Sequence, residues 1–144
     1  MTSKIVYEGA LRTTATHLRS GSVIETDAPT DNNGKGERFS PTDLVATALG
    51  SCMMTIMGIV ARQRQLPLEN TRISIEKVMG TDPRRITEVK VKIDFPPDLD
   101  LSPEERTRLE QAALNCPVAK SIHPDIRQSV VFNWHPAEEA TVHE

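Results

Sequence analysis

The spacing of apolar positions changes along the chain, and each change predicts an element. Residues 4–28 carry β-branched alternation on both sides of the tetrad "RSGS" (19–22), which predicts three short strands. The following "PTDNNGKGERFS" (29–40) is polar and glycine-containing, the pattern of a mobile loop. A helix then opens with Ser40 as N-cap, Pro41 at the first helical position and Asp43 as the carboxylate of a capping box. It should run to about Gln65.

Two strands are predicted at 71–80 and 86–95, on either side of the turn "TDPRR". Their packed faces are Ile73, Ile75 and Val78 in the first and Ile86, Val89, Val91 and Ile93 in the second. A second helix repeats the opening device with Ser102, Pro103 and Glu105, and carries a stripe of Leu109, Ala112 and Ala113. Pro117 stops it and opens a short helix, "PVAKSI", before a last strand, "SVVFNW", and a polar tail. The order β-β-β-α-β-β-α-β predicts an α+β fold with strands joined as hairpins rather than in βαβ alternation.

Length adds that 1–144 is one domain. A chain of this size buries about 68–70% of its unfolded surface, so neither a disulfide nor a metal is needed for stability. With one Trp, one Tyr and three Phe, the core must be aliphatic and methionine-rich.

Charge narrows the partners. Lys plus Arg is 17 against 20 for Asp plus Glu, a formal net charge of −3, with no basic run to track a phosphate backbone. No nucleic-acid partner is expected. The start, "MTSKIVYEGALRTT", lacks the apolar core of a signal peptide, so cytoplasmic residence is the expectation. Residues 44–61 hold no charge across 18 positions, the lower limit for a membrane span. Thr47, Gly50, Ser51, Thr55 and Gly58 interrupt that stretch, and a helix buried all round in a protein or dimer centre fits it better than a membrane.

Two cysteines carry the candidate chemistry. Cys52 lies within the most apolar helix, where a thiol can be simply a small buried hydrophobe, inert unless a positive charge is near. Cys116 directly precedes Pro117 and so can cap the short helix, where free N–H groups and the helix dipole favour an anion; it can equally be a packing residue. No C-x-x-C or zinc-ligand spacing is present. Arg19, in the turn "HLRSGS", and Arg38, just before the helix start, read as surface charges unless the fold aims one at Cys52. An ordinary thiol is only ~3% ionised at pH 7, and lowering its pKa to about 6 requires roughly 3.4 kcal/mol. One guanidinium at ~4 Å supplies about 4 kcal/mol at an effective dielectric near 20.

These pieces in order resemble the OsmC/Ohr family of thiol peroxidases acting on organic hydroperoxides. "LRSGSV" is similar to its Arg-containing turn, "SPTDLVATALGSC" to its helix opening, with Pro41 eleven residues before Cys52, and "NCPVAKSI" to its second cysteine, 64 residues further on. The resemblance spans nearly the whole chain. It implies antiparallel sheets around a long buried central helix in an intertwined homodimer, with active sites at the subunit interface. It further implies Cys52 as the peroxide-attacking thiol, Cys116 as the resolving thiol forming a disulfide with it, and Arg19, or Arg38, as the activating cation. The substrate would be an organic hydroperoxide and the reductant an external dithiol of lipoyl type, with no metal or other cofactor, in the response to oxidative stress. Family members commonly place a Glu after the helix-opening proline to hold the Arg; here that position is Thr42, and Asp43 is the candidate to take the role. The alternative reading is a dimer of the same fold that binds a small apolar or electrophilic ligand near Cys52.

Overall fold

In a computed structural model that describes residues 1–135 and 141–143, the chain forms β1 (Ser3–Gly9), β2 (Arg12–His17), β3 (Val23–Asp27), α1 (Pro41–Gln63), β4 (Arg72–Gly80), β5 (Arg85–Asp94), α2 (Pro103–Leu114), α3 (Pro117–Ser121), β6 (Arg127–Asn133) and β7 (Thr141–His143). It divides into two compact units at the start of α1, Met1–Val45 and the chain from Ala46 onward.

In the first unit β1, β2 and β3 form an antiparallel three-stranded sheet. The "RSGS" tetrad is its turn, closed by His17 N–H donating to the Ser22 carbonyl (2.8 Å). β1 is exposed along nearly its whole length, Ile5, Val6 and Tyr7 included. Register places Arg12 opposite Asp27, and the guanidinium donates to both carboxylate oxygens at 2.7 and 2.8 Å. Arg12 also reaches Glu37 (3.0 Å), and the Asp27 carboxylate accepts the Glu37 backbone N–H (3.1 Å).

The sequence predicts a mobile loop at 29–40, and the structure instead pins that stretch at several points. The Asp27 N–H donates to the Phe39 carbonyl, the Gly36 N–H to the Ala28 carbonyl, and the Gly34 N–H to the Pro29 carbonyl. Gly34 packs so closely that a Cβ there would lie 1.7 Å from the Ala28 carbonyl oxygen. Polar composition marked a loop correctly, and these backbone bonds tie it to the end of β3.

The second unit is built on a four-stranded sheet in the order β4-β5-β6-β7. β4 and β5 are an antiparallel hairpin, and β6 and β7 are antiparallel. β5 and β6, however, run parallel, with α2 and α3 as the crossover between them, so one βαβ connection stands where hairpins alone were expected. β7 falls in the stretch read as a polar tail; the rest of that tail, residues 136–140 and 144, lies outside the described residues.

The core lies on one face of this sheet: Ile86, Val89, Val91 and Ile93 from β5 and Val130 and Phe132 from β6 are buried, with Leu109 and Ala113 of α2. The odd step from Ile86 to Val89 has a cause. The register shifts between Val78 and Met79, whose partners are Glu88 and Ile86, so Thr87 is the extra residue of a bulge. β4 itself alternates without interruption, so Met79, in line with Ile73 and Ile75, packs on the core rather than the expected Val78.

α1 contributes Ala46, Leu49, Gly50, Met53, Met57 and Ala61 to this core. Its opening is the predicted capping box: Ser40 Oγ accepts the Asp43 N–H (3.1 Å), and Asp43 accepts the Ser40 N–H (3.0 Å). α1 ends near the predicted Gln65, where a left-handed residue (φ 58°) breaks the helix. By length and composition α1 could also cross a membrane, with a mean hydropathy of 2.0 over its most apolar window. Within one chain only a single side of it is covered: Ile59 is 50% exposed, and Val45, Ser51 and Thr55 are exposed too.

Gly50 is where α1 meets the sheet: a Cβ there would sit 2.6 Å from Ile75 Cδ1 and 3.3 Å from Ile73 Cγ2. Gly50→Val is expected to destabilise the protein by about 1–3 kcal/mol through overpacking, read as a lower urea midpoint at unchanged m-value. A midpoint at or above that of the wild type would refute this close approach. Asp27 gives a second expectation. The hydrogen bonds from Arg12, with its charge, hold the carboxyl at about 2, below its value of about 3.9 in an unfolded chain. A depressed carboxyl stabilises the fold above the unfolded value and ceases to do so as pH falls through the folded one. The advantage of the wild type over Asp27→Asn in melting temperature should therefore be full above about pH 5 and fade between about pH 4 and pH 2. A pH-independent difference would contradict it.

Candidate functional site

Cys52 sits midway along α1, at the border between its core face and its exposed side. It is half-buried and packs against the core beside Met53. Cys116 lies at the junction of α2 and α3. Its N–H donates to the Ala113 carbonyl (3.2 Å) as α2 ends, and its extended backbone (φ −66°, ψ 155°) makes it the N-cap of α3, with Pro117 in the first turn. Its Sγ accepts the Ala119 N–H at 3.4 Å, the cap bond expected from the sequence. Cys116 is fully buried.

Both cysteines are free thiols, and the fold brings them near each other: Cys52 packs against the core cluster that contains Cys116 and acts on the Cys116 thiol. That contact joins the middle of one helix to the cap of another, 64 positions away. Burial pushes the Cys116 thiol above its ordinary pKa; the Ala119 N–H opposes this, while the adjacent Cys52 adds to the rise. Burial is the larger influence and outweighs the Ala119 and Val118 N–H groups, so the neutral thiol is favoured. Two neighbouring thiols of unlike exposure can be linked by an oxidant that reaches the half-buried one first.

The remaining predicted site residues belong to the first unit. Arg19 is exposed in the β2–β3 turn and makes no hydrogen bond or ion pair with the described residues. Arg38 is committed locally: its Nε donates to Glu25 (3.0 Å) and its Nη1 to the Glu37 carbonyl (3.1 Å). Asp43 serves the α1 cap, and Thr42, at the position where a Glu was expected, has its hydroxyl 3.1 Å from that of Ser40. Sequence reasoning passed over Arg12, whose guanidinium donates to both Asp27 carboxylate oxygens and to Glu37, because only strand register sets it opposite Asp27. It also passed over Gln128, whose amide on β6 donates to the Ala119 carbonyl of α3 (3.0 Å).

Comparison with known proteins agrees with this architecture. Residues 34–130 match the family described as OsmC-like protein. No curated protein matches the chain. A crystal structure from Psychrobacter arcticus 273-4, of a protein named for osmotic stress induction and a detoxification response, is 52% identical and superposes with a TM-score of 0.88 over 92% of this chain and 96% of that one. An organic hydroperoxide resistance protein from Legionella pneumophila, at 17% identity, shares the fold with a TM-score of 0.71 over 93% and 98% of the two chains. One from Elizabethkingia anophelis, at 15% identity, does so with 0.66 over 92% and 96%. With its α+β architecture, its paired thiols and this match over two thirds of its length, the chain belongs to the OsmC-like family.

Proposed function

We propose that the protein is a thiol peroxidase that reduces organic hydroperoxides to alcohols. The observation that supports this most is the proximity of half-buried Cys52 to buried, capped Cys116. Membership of a family that includes organic hydroperoxide resistance proteins agrees with it.

In the first step the Cys52 thiolate attacks the distal oxygen of R–O–O–H. The O–O bond breaks, Cys52 becomes a sulfenic acid, and the departing alkoxide takes a proton to leave as the alcohol. In the second step the Cys116 sulfur attacks the Cys52 sulfur. The S–O bond breaks, and hydroxide leaves with the Cys116 proton as water, giving a Cys52–Cys116 disulfide. An external dithiol then returns both thiols by exchange and is itself oxidised to a disulfide. A lipoyl-type dithiol is the proposed reductant, and no metal or other cofactor takes part.

The raised pKa of Cys116 suits the resolving role. A neutral buried thiol does not compete for the peroxide, and it loses its proton only when the neighbouring sulfur has become electrophilic. Arg19 is the proposed activating cation, since its guanidinium makes no hydrogen bond or ion pair with the described residues, whereas Arg38 is shared with Glu25 and Glu37. Asp43 is the proposed positioning carboxylate.

The proposed assembly is a homodimer in the cytoplasm, with a role in the response to oxidative stress and no membrane or nucleic-acid partner. The exposed apolar side chains of β1 and β3 and the uncovered side of α1 are what a second copy would bury. Light scattering should give about twice 16.0 kDa; a monomeric mass would remove that part.

Turnover of an alkyl hydroperoxide with a dithiol tests the chemistry. Cys52→Ser should abolish consumption, and Cys116→Ser should leave a single turnover that ends at the sulfenic acid, trapped by dimedone. Unchanged turnover in Cys52→Ser would end the proposal. Arg19→Ala should lower the rate constant for peroxide attack by about 10²-fold, each 1.4 kcal/mol of lost stabilisation being a factor of ten. If Arg38→Ala shows that loss and Arg19→Ala does not, the activating role moves to Arg38.

A further inference from the structure

We infer that Gln128 is a positioning residue for the cysteine pair, holding α3, and through it Cys116, against Cys52. Its use in catalysis rests on the peroxidase reading; its geometry does not. α3 has five residues, a single turn, and a turn that short is not stable by itself in water. Most of its carbonyls are satisfied close by. That of Cys116 accepts the Lys120 N–H (3.2 Å), that of Pro117 the Ser121 hydroxyl (2.7 Å), and that of Val118 the Ile122 N–H (3.1 Å).

The Ala119 carbonyl is served from the sheet. The helix ends too soon to supply a donor, and Gln128 Nε2 donates to it at 3.0 Å. Gln128 stands in line with Val130 and Phe132, on the core face of β6, and its register partner on β5 is buried Val89. An amide among those apolar side chains is in place to bond across to the helix layer.

Ala119 matters because its N–H holds the Cys116 sulfur at 3.4 Å. Gln128 therefore grips, by the carbonyl, the residue that orients the thiol. Val118, Ala119 and Ile122 pack on the core as well, but apolar contact is non-directional and leaves the turn free to shift along the sheet. The hydrogen bond fixes where along the sheet the turn sits, and so the effective concentration of the Cys116 thiol at Cys52.

The test equilibrates the reduced protein with mixtures of reduced and oxidised dithiothreitol, after confirming that diamide, which takes up two electrons and two protons, closes the Cys52–Cys116 disulfide. Gln128→Met keeps the side-chain length and removes the donor. Its disulfide equilibrium constant should fall by about two- to tenfold, the usual net worth of one hydrogen bond expressed as a ratio. The rate of Cys52 alkylation by iodoacetamide in the reduced protein should stay within about twofold of wild type, because α1 is untouched. If Gln128→Met does not fold, Gln128→Glu, which places an acceptor against the carbonyl, serves with the same expectation.

An unchanged equilibrium constant overturns the inference. So does a fall accompanied by altered Cys52 alkylation, which would mean general loosening, and so does a wild-type protein in which diamide closes no disulfide. A wild type that closes the disulfide with diamide but consumes no hydroperoxide would instead sink the peroxidase and leave this role of Gln128 standing.

Discussion

The burial of one side of α1 against the β4–β5–β6 face is the constraint on which the second unit depends. Leu49, Met53 and Met57 are fully buried there, each removal from water contributing about 1.5–3 kcal/mol. Gly50 has no side chain where Ile75 presses in, so helix and strand come close. That approach fixes the rotation of α1 about its axis. The rotation in turn sets Cys52 neither inside nor outside, on the border of the core beside Met53. A helix turned by one position would bury that thiol beyond reach or carry it away from Cys116.

The two thiols acquire different characters from their backbones. Cys116 caps a one-turn helix whose first N–H groups would welcome an anion, yet the same fold removes it from water completely. Desolvation is the larger effect, and it favours the protonated sulfur. Cys52 has no cap and keeps a partly open side. Exposure, rather than any difference in residue type, separates a sulfur that can meet a reagent from one that can meet only its neighbour.

The first unit depends on a buried carboxylate rather than on apolar packing. Asp27 is almost wholly shielded, a costly place for a charge unless it is paired and hydrogen-bonded. It accepts two bonds from Arg12 and one from the Glu37 backbone, and the adjoining strand end pairs with Phe39. A polar, glycine-containing stretch is thereby held as it approaches the α1 cap. Its apolar side chains on β1, meanwhile, have little to cover them within one chain.

What the sequence by itself determined here are the features decided by neighbours a few residues apart. The capping boxes at Ser40 and Ser102, the Cys116–Pro117 cap, the turn at 19–22 and the alternation of β5 all follow from local sterics and hydrogen bonding, and all appear where they were read. The ordered motifs also identified the family. Tertiary structure alone decided what depends on contacts between distant segments: the parallel pairing of β5 with β6, the bulge at Thr87 that brings Ile86 into line with Val89, the pairing of Arg12 with Asp27, the grip of Gln128 on α3 and the meeting of the two thiols. Side-chain pattern reports whether a face is buried but not against what, because the hydrophobic effect is non-directional and register between remote strands is set only when the whole core closes.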